Sequence, residues 1–224
     1  MIVEPQFASP LEIDGRTWLR GALSEAQLAP FDSACALSER PGARMQAAAA
    51  LGAAIAPTAA LAALVREALP FARPVRAAVF AAGPSAPEAE PWRQDREILV
   101  AERAEVDGFS NWSSKGGIWH VEAPESVLER MVVARVLLDD WDEAHGGRQF
   151  ALGSHRAGAV SGAAAEEAAA KCPWEPIGAR RGDVVLTKML TLHRTVSGAQ
   201  TLPRRSVRVD YAAEDLPEPL DWAM

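Results

Sequence analysis

Cysteine is scarce and positive charge is in deficit. Only Cys35 and Cys172 occur in 224 residues, far apart and in no metal-ligand spacing, which argues against a disulfide framework and makes a reducing compartment the default. Lys and Arg number 23 against 30 Asp and Glu, a formal net charge of −7. The excess of cations that a nucleic-acid or anionic-membrane binder uses is therefore missing. The start, Met1-Ile2-Val3-Glu4-Pro5, lacks the basic segment and apolar core of a secretion signal, so a cytoplasmic location is expected. The one long weakly polar run, Ala47 to Val65, is mostly alanine, is broken by Gly52 and Pro57 and is followed by Arg66 and Glu67. A spanning helix needs about 20 strongly apolar residues, so two packed helices are expected there instead. No internal repeat is visible.

What is present is ordinary for a globular chain: 49% hydrophobic and 24% charged residues, at a length that fits one domain. Leu11 to Arg20 reads as a short strand and turn at Asp14-Gly15. Ser24 and Gln27 have capping-box spacing and start a helix toward Ala36. A helix over Ala43 to Ala56 ends at Pro57, and a second from Thr58 carries a stripe of Leu61, Leu64, Val65 and Leu69. From Pro74 the pattern changes to short β-like runs: Val75 to Ala82, Trp92 to Glu102, Met131 to Leu138, Val184 to Met189 and Ser206 to Ala212. Phe109 to His120 reads as a long loop, and Ala163 to Lys171 as a surface helix. Helices first and strands afterwards argue α+β, mainly β, with a helical part over residues 1–73 and an antiparallel core over 74–224 carrying a helical insertion near 161–172.

The chain is organised around Pro91-Trp92-Arg93-Gln94-Asp95-Arg96. In a strand, alternation puts Arg93 and Asp95 on one face, a cation beside a carboxylate. A His at 93 would make this the His-x-Asp half of a 2-His-1-carboxylate iron site. His193 follows a Gly-Asp turn and a strand. Eleven positions later stands Arg204, with Arg205 beside it, able to hold a dicarboxylate by a bidentate fork or simply to end a solvated loop.

These residues, with Lys115 through Glu122, Leu137 to Asp140, Gly153-Ser154-His155-Arg156 and Pro203-Arg204-Arg205, resemble the phytanoyl-CoA dioxygenase family of Fe(II)/2-oxoglutarate oxygenases over Trp92 to Tyr211. The resemblance implies a double-stranded β-helix, or cupin-like jelly roll. It implies Fe(II) and 2-oxoglutarate as cofactors, Asp95 and His193 as metal ligands, and Arg204, or the adjacent Arg205, as the 2-oxoglutarate anchor. His155 belongs to a structural turn. Trp112, Lys115, Trp119 and His120 line a substrate pocket, or else pin the loop with buried indoles. Arg93 departs from the family: it stands at the first ligand position, offers no lone pair, repels a cation and gives Asp95 an ion-pair partner. Two readings stay open. One is an oxygenase hydroxylating a small molecule at a degenerate metal site. The other is an iron-free small-molecule or anion-binding protein, non-redox enzyme or pseudoenzyme, with Arg93 and Arg204 as anion contacts. The alanine-rich helices offer a face to a second copy.

Overall fold

The computed structural model describes residues 9–36, 44–46, 48–82, 89–141, 146–176, 178–197 and 204–224. Chain order runs α1 (Pro10–Asp14), β1 (Arg16–Leu19), α2 (Glu25–Ala36), β2 (Arg44–Gln46), α3 (Ala48–Leu51), α4 (Ala60–Ala68) and β3 (Arg73–Ala82). It continues with β4 (Glu90–Arg93), β5 (Glu97–Val100), β6 (Ser110–Lys115), β7 (Ile118–Glu122), α5 (Glu125–Leu128), β8 (Met131–Leu137) and β9 (Gly146–Ala151). The last elements are α6 (Ala165–Ala170), β10 (Trp174–Pro176), β11 (Val184–Lys188), β12 (His193–Ser197) and β13 (Arg204–Ala212).

A six-stranded sheet of order β1-β11-β8-β13-β3-β2 faces a four-stranded sheet of order β10-β9-β12-β4, and every pairing is antiparallel. From β3 onward, leaving aside β5 to β7 and also β10, which pairs with β9 in the small sheet, the chain alternates between these two sheets. That is the expected double-stranded β-helix. β5, β7 and β6 form a third, three-stranded sheet inserted between β4 and β8.

Strand alternation explains what each face of the large sheet does. Val207, Val209 and Tyr211 of β13, with Ala77 and Val79 of β3 and Val132, Ala134 and Val136 of β8, join Leu28, Phe31, Leu61 and Val65 of the helices in one buried cluster. The helical layer therefore covers the outer face, and its expected stripe does the covering. The intervening positions Ser206, Arg208 and Asp210, opposite Arg135 and Arg76 in register, are turned to the interior between the two sheets. α6 packs Ala165 and Ala169 on Trp92 and Leu192.

Four expectations need correction. Leu11 to Asp14 is helix: Ser9 Oγ accepts the Glu12 amide, Pro10 opens the first turn, and Gly15 at φ 76° closes it. The expected helix over Ala43 to Ala56 begins instead as β2, whose Arg44 to Gln46 pair with β3, and shrinks to α3 with a 3-10 turn after it; Ala43 and Ala47 lie outside the described residues. The expected strand Trp92 to Glu102 is broken into β4 and β5. Gln94 holds the break open, donating to Gly158 O and Leu190 O and accepting from the Val160 amide. The expected loop over Phe109 to His120 is the β6–β7 hairpin, turned by Gly116 and Gly117 at φ 60° and 82°, the two positive values that a tight primed turn requires.

Candidate functional site

Asp95 lies in the break between β4 and β5, fixed by its amide donating to Met189 O at 3.0 Å. His193 opens β12 and is 1% exposed, paired in register with Phe150 on one side and Arg93 on the other. His193 Nε2 stands 3.8 Å from Asp95 Oδ2. The structure thus brings together the carboxylate and the imidazole.

The state of each group follows from its partners. His193 Nδ1 lies 3.0 Å from Thr191 O, a carbonyl that can only accept, so Nδ1 carries the proton and Nε2 presents its lone pair. That Nε2 is buried and has no hydrogen-bond partner. Burial pushes the imidazole down to about 3, against the smaller upward pull of Asp95, so it is neutral at ordinary pH. Burial acts to raise Asp95, but the charges around it, Arg208 foremost, outweigh burial and hold its carboxyl well below the usual range. Arg208 Nη1 donates to Asp95 Oδ1 at 2.8 Å, while its Nε and Nη2 grip Asp210 at 2.5 and 2.9 Å. Asp95 therefore keeps Oδ2 toward His193.

Arg93 is not the partner of Asp95 that strand alternation predicts. The break after β4 separates the two, and Arg93 Nη2 donates instead to Glu90 Oε2 at 2.6 Å, an oxygen that also accepts from Thr195 Oγ1 at 2.5 Å. Arg205 points the other way. Its guanidinium pairs with Asp139 at 2.6 Å and Asp32 at 2.9 Å, against the helical layer, on the face of β13 opposite Arg208. The backbone of Arg204 pairs with Ala82 in β13, and its side chain lies outside the described residues, as does Pro203.

The four residues expected at a substrate pocket build the third sheet. His120 Nδ1 lies 2.6 Å from Glu97 Oε1 and Lys115 Nζ 2.9 Å from Glu97 Oε2, while Trp112 and Trp119 meet edge to face, centroids 6.4 Å apart. Both indoles are half-buried against the apolar cluster around Ile98, Phe109 and Val121. His155 sits in a one-turn helix with Nε2 3.2 Å from Glu12 O, the structural role the sequence implies.

Three further arginines lie near Asp95. Arg135, 4% exposed, is hidden in the apolar run of β8; its Nη1 donates to Ser206 Oγ at 2.9 Å, its guanidinium lies 4.6 Å from the Phe80 ring, and its Nη2 is buried without a partner. Arg208 opposes it in register. Arg148 of β9 opposes Thr195, two residues along β12 from His193. The alternation Ser206-Val207-Arg208-Val209-Asp210-Tyr211 carried the signal for Arg208, since three apolar residues on one face put the polar ones on the other. Arg148 becomes legible only with the pairing of β9 and β12.

Two groups stand close enough to share a divalent cation. Atoms each about 2.1 Å from such an ion stand at most ~4.2 Å apart, and His193 Nε2 and Asp95 Oδ2 meet that limit. The third position is absent: among the described residues no group of three His, Cys, Asp or Glu converges. No described helix is long and apolar enough to cross a membrane.

The two sheets define the class of fold, a cupin-like jelly roll. No protein-family model and no curated protein matches the chain. Solved structures do. The non-haem α-ketoglutarate-dependent carbocyclase SnoK from nogalamycin biosynthesis aligns at TM-score 0.67 and 16% identity over 92% of this chain and 82% of that one. The epimerase SnoN, in complex with Fe3+, α-ketoglutarate and nogalamycin RO, aligns at 0.65 and 17% over 94% and 88%. HygX from Streptomyces hygroscopicus, with nickel and 2-oxoglutarate bound, aligns at 0.58 and 20% over 90% and 83%. At these identities the likeness is one of fold.

Proposed function

We propose that this chain is a 2-oxoglutarate-dependent enzyme of the phytanoyl-CoA dioxygenase-like group, working on an unidentified small molecule with a metal site reduced to two protein donors. The observation that carries the reading is His193 Nε2, buried, deprotonated and unpartnered, facing Asp95 Oδ2 across 3.8 Å. A lone pair buried without a partner costs free energy on the order of 1–3 kcal/mol, and a cation shared with Asp95 relieves it. Asp95 would bind through Oδ2 while Arg208 holds Oδ1 and so fixes the plane of the carboxylate. Arg93, the replaced first ligand, is kept off the site by Glu90. Fe(II) with 2-oxoglutarate supplies oxidising power from O2 for hydroxylation at a C–H bond, and the chain supplies placement and a dry interior. Arg204, eleven positions beyond His193, is the proposed anchor of the distal carboxylate.

Adding Fe(II) and 2-oxoglutarate to the purified protein without oxygen tests this. The reading predicts a metal-to-ligand charge-transfer absorption in the natural protein, lost in His193→Ala and strengthened in Arg93→His. If no band forms in the natural protein and one forms in Arg93→His, the site is a lost metal centre. If no band forms in either, the carried-over ligand assignment is wrong.

A further inference from the structure

A cavity of about 470 Å³ lies where β8 begins and β13 ends, at the opposed pair Met131 and Ala212. It shares no lining residue with the Asp95 and His193 pair, and its volume is in the range of small-molecule sites. Backbone bonds hold its walls in place without a ligand. The turn before β6 closes through Phe109 N on Val106 O at 3.2 Å, and the segment after β13 is tied to β8 through Ala213 N on Arg130 O at 3.2 Å. The chain end is tied to β5 by Ala223 N on Leu99 O and by the bridge between Val100 and Trp222.

The lining has two parts. Phe109, Met131 and Leu216, all buried, and the half-buried Val127 and Trp222 supply apolar surface continuous with the cluster around Ile98. The Trp222 indole is fixed by Nε1, which donates to Glu214 O at 3.2 Å. The charged part is unevenly paired. Glu214 takes Arg130, and Asp215 takes Arg73. Asp107 also lines the cavity, and it makes no hydrogen bond or ion pair among the described residues. One negative charge is therefore left over beside aromatic and aliphatic walls. A cation on an apolar body complements both parts, because indole and carboxylate each attract an ammonium group. A neutral ligand leaves the carboxylate unanswered, and an anion is repelled.

We propose that this cavity is a binding site for a small organic monocation, with its ammonium group at Asp107 and its apolar body against Phe109, Met131 and Leu216. The site is independent of the metal and of 2-oxoglutarate.

Titration of metal-free, 15N-labelled protein with phenethylammonium, phenethyl alcohol and 3-phenylpropionate at equal ionic strength tests it. The readout is the Trp222 indole N–H resonance, assigned by its loss in Trp222→Phe. Saturable binding of phenethylammonium is expected, about tenfold tighter than that of the alcohol or the carboxylate. Asp107→Asn weakens the ammonium by about fivefold and leaves the alcohol unchanged. Glu105→Gln changes neither, since Glu105 pairs with Arg103 and does not line the cavity. Leu216→Trp fills the cavity and removes binding of all three, with thermal unfolding as the check that it is folded; if it is not, Asp107→Asn decides alone. The proposal is overturned if the ammonium and the alcohol bind equally, if Asp107→Asn binds as the natural protein does, or if the Trp222 resonance shows no saturable shift. A shift that follows protein concentration alone would assign the cavity to a second copy and overturn it as well.

Discussion

At the scale of single residues the site is decided by which carboxylate each guanidinium takes. Arg208 takes Asp95 and Asp210, and Glu90 takes Arg93, so the pair that sequence alternation expects never forms. Asp95→Ala leaves Arg208, 5% exposed, with Asp210 only. Removing one member of a buried ion pair costs about 3 kcal/mol, and urea denaturation at pH 7 is expected to show a loss of that order. Arg93→His is expected to be nearly neutral for stability, because the Arg93–Glu90 pair is about a third exposed and such pairs contribute ~0–1 kcal/mol.

At the scale of elements, the turn of Arg181-Gly182-Asp183 and the helix α2 are locked together. Arg181 reaches Glu25 and Asp32 of α2 and Leu138 O, while Asp183 accepts the Gly21 amide and Arg20. Gly182 is obligatory here: at φ 86° an added Cβ would stand 2.8 Å from Leu23 O. Gly182→Ala is expected to destabilise by about 2 kcal/mol, read by thermal or urea unfolding. Hydrogen bonding from Arg181, then its charge and that of Arg205, holds the Asp32 carboxyl below its ordinary value against the effect of partial burial. A depressed carboxyl contributes stability in full above its unfolded value near 4, and loses it as pH falls through the lower folded value. The natural protein should therefore lose stability more steeply than Asp32→Asn on going from about pH 5 to about pH 3, and equal slopes in urea titrations would contradict the clamp.

Much at this scale was legible in the sequence. Half of the Ser24 and Gln27 cap forms, with Gln27 Oε1 accepting the Ser24 amide at 2.8 Å and the Ser24 hydroxyl at 3.0 Å, and the stripe on α4 buries Leu61 and Val65. β8, β11 and β13 fall where runs and alternation put them, whereas β9, β10 and β12 carry no such pattern. What was not legible depended on partners distant in sequence. β2 forms because the edge of β3 is there to pair with, and β4 stops because Gln94 finds Gly158, Val160 and Leu190. Of the site, Asp95 and His193 were readable as candidates. Arg135 was disguised by the apolar residues flanking it in β8, a strand buried on both faces.

For the whole molecule, the large sheet separates two environments. One face carries the apolar core beneath the helices, and the other carries buried charge. Cys35 lies on the helical side, 4% exposed, and burial pushes its thiol up to about 11. Cys172 lies half-buried beside α6. At pH 8 an alkylating reagent is expected to modify Cys172 in the native protein and Cys35 only after unfolding, as read by mass spectrometry. Native labelling of Cys35 would mean that the helical layer opens easily.

Anomalous scattering from crystals grown without oxygen in Mn(II) and 2-oxoglutarate tests the two-donor centre most directly. The structure predicts a peak bonded to both His193 Nε2 and Asp95 Oδ2, with Arg208 still on Asp95 Oδ1 and Arg93 still on Glu90. A barrel holding 2-oxoglutarate with no metal peak beside His193, or a metal bound away from these two atoms, would contradict it.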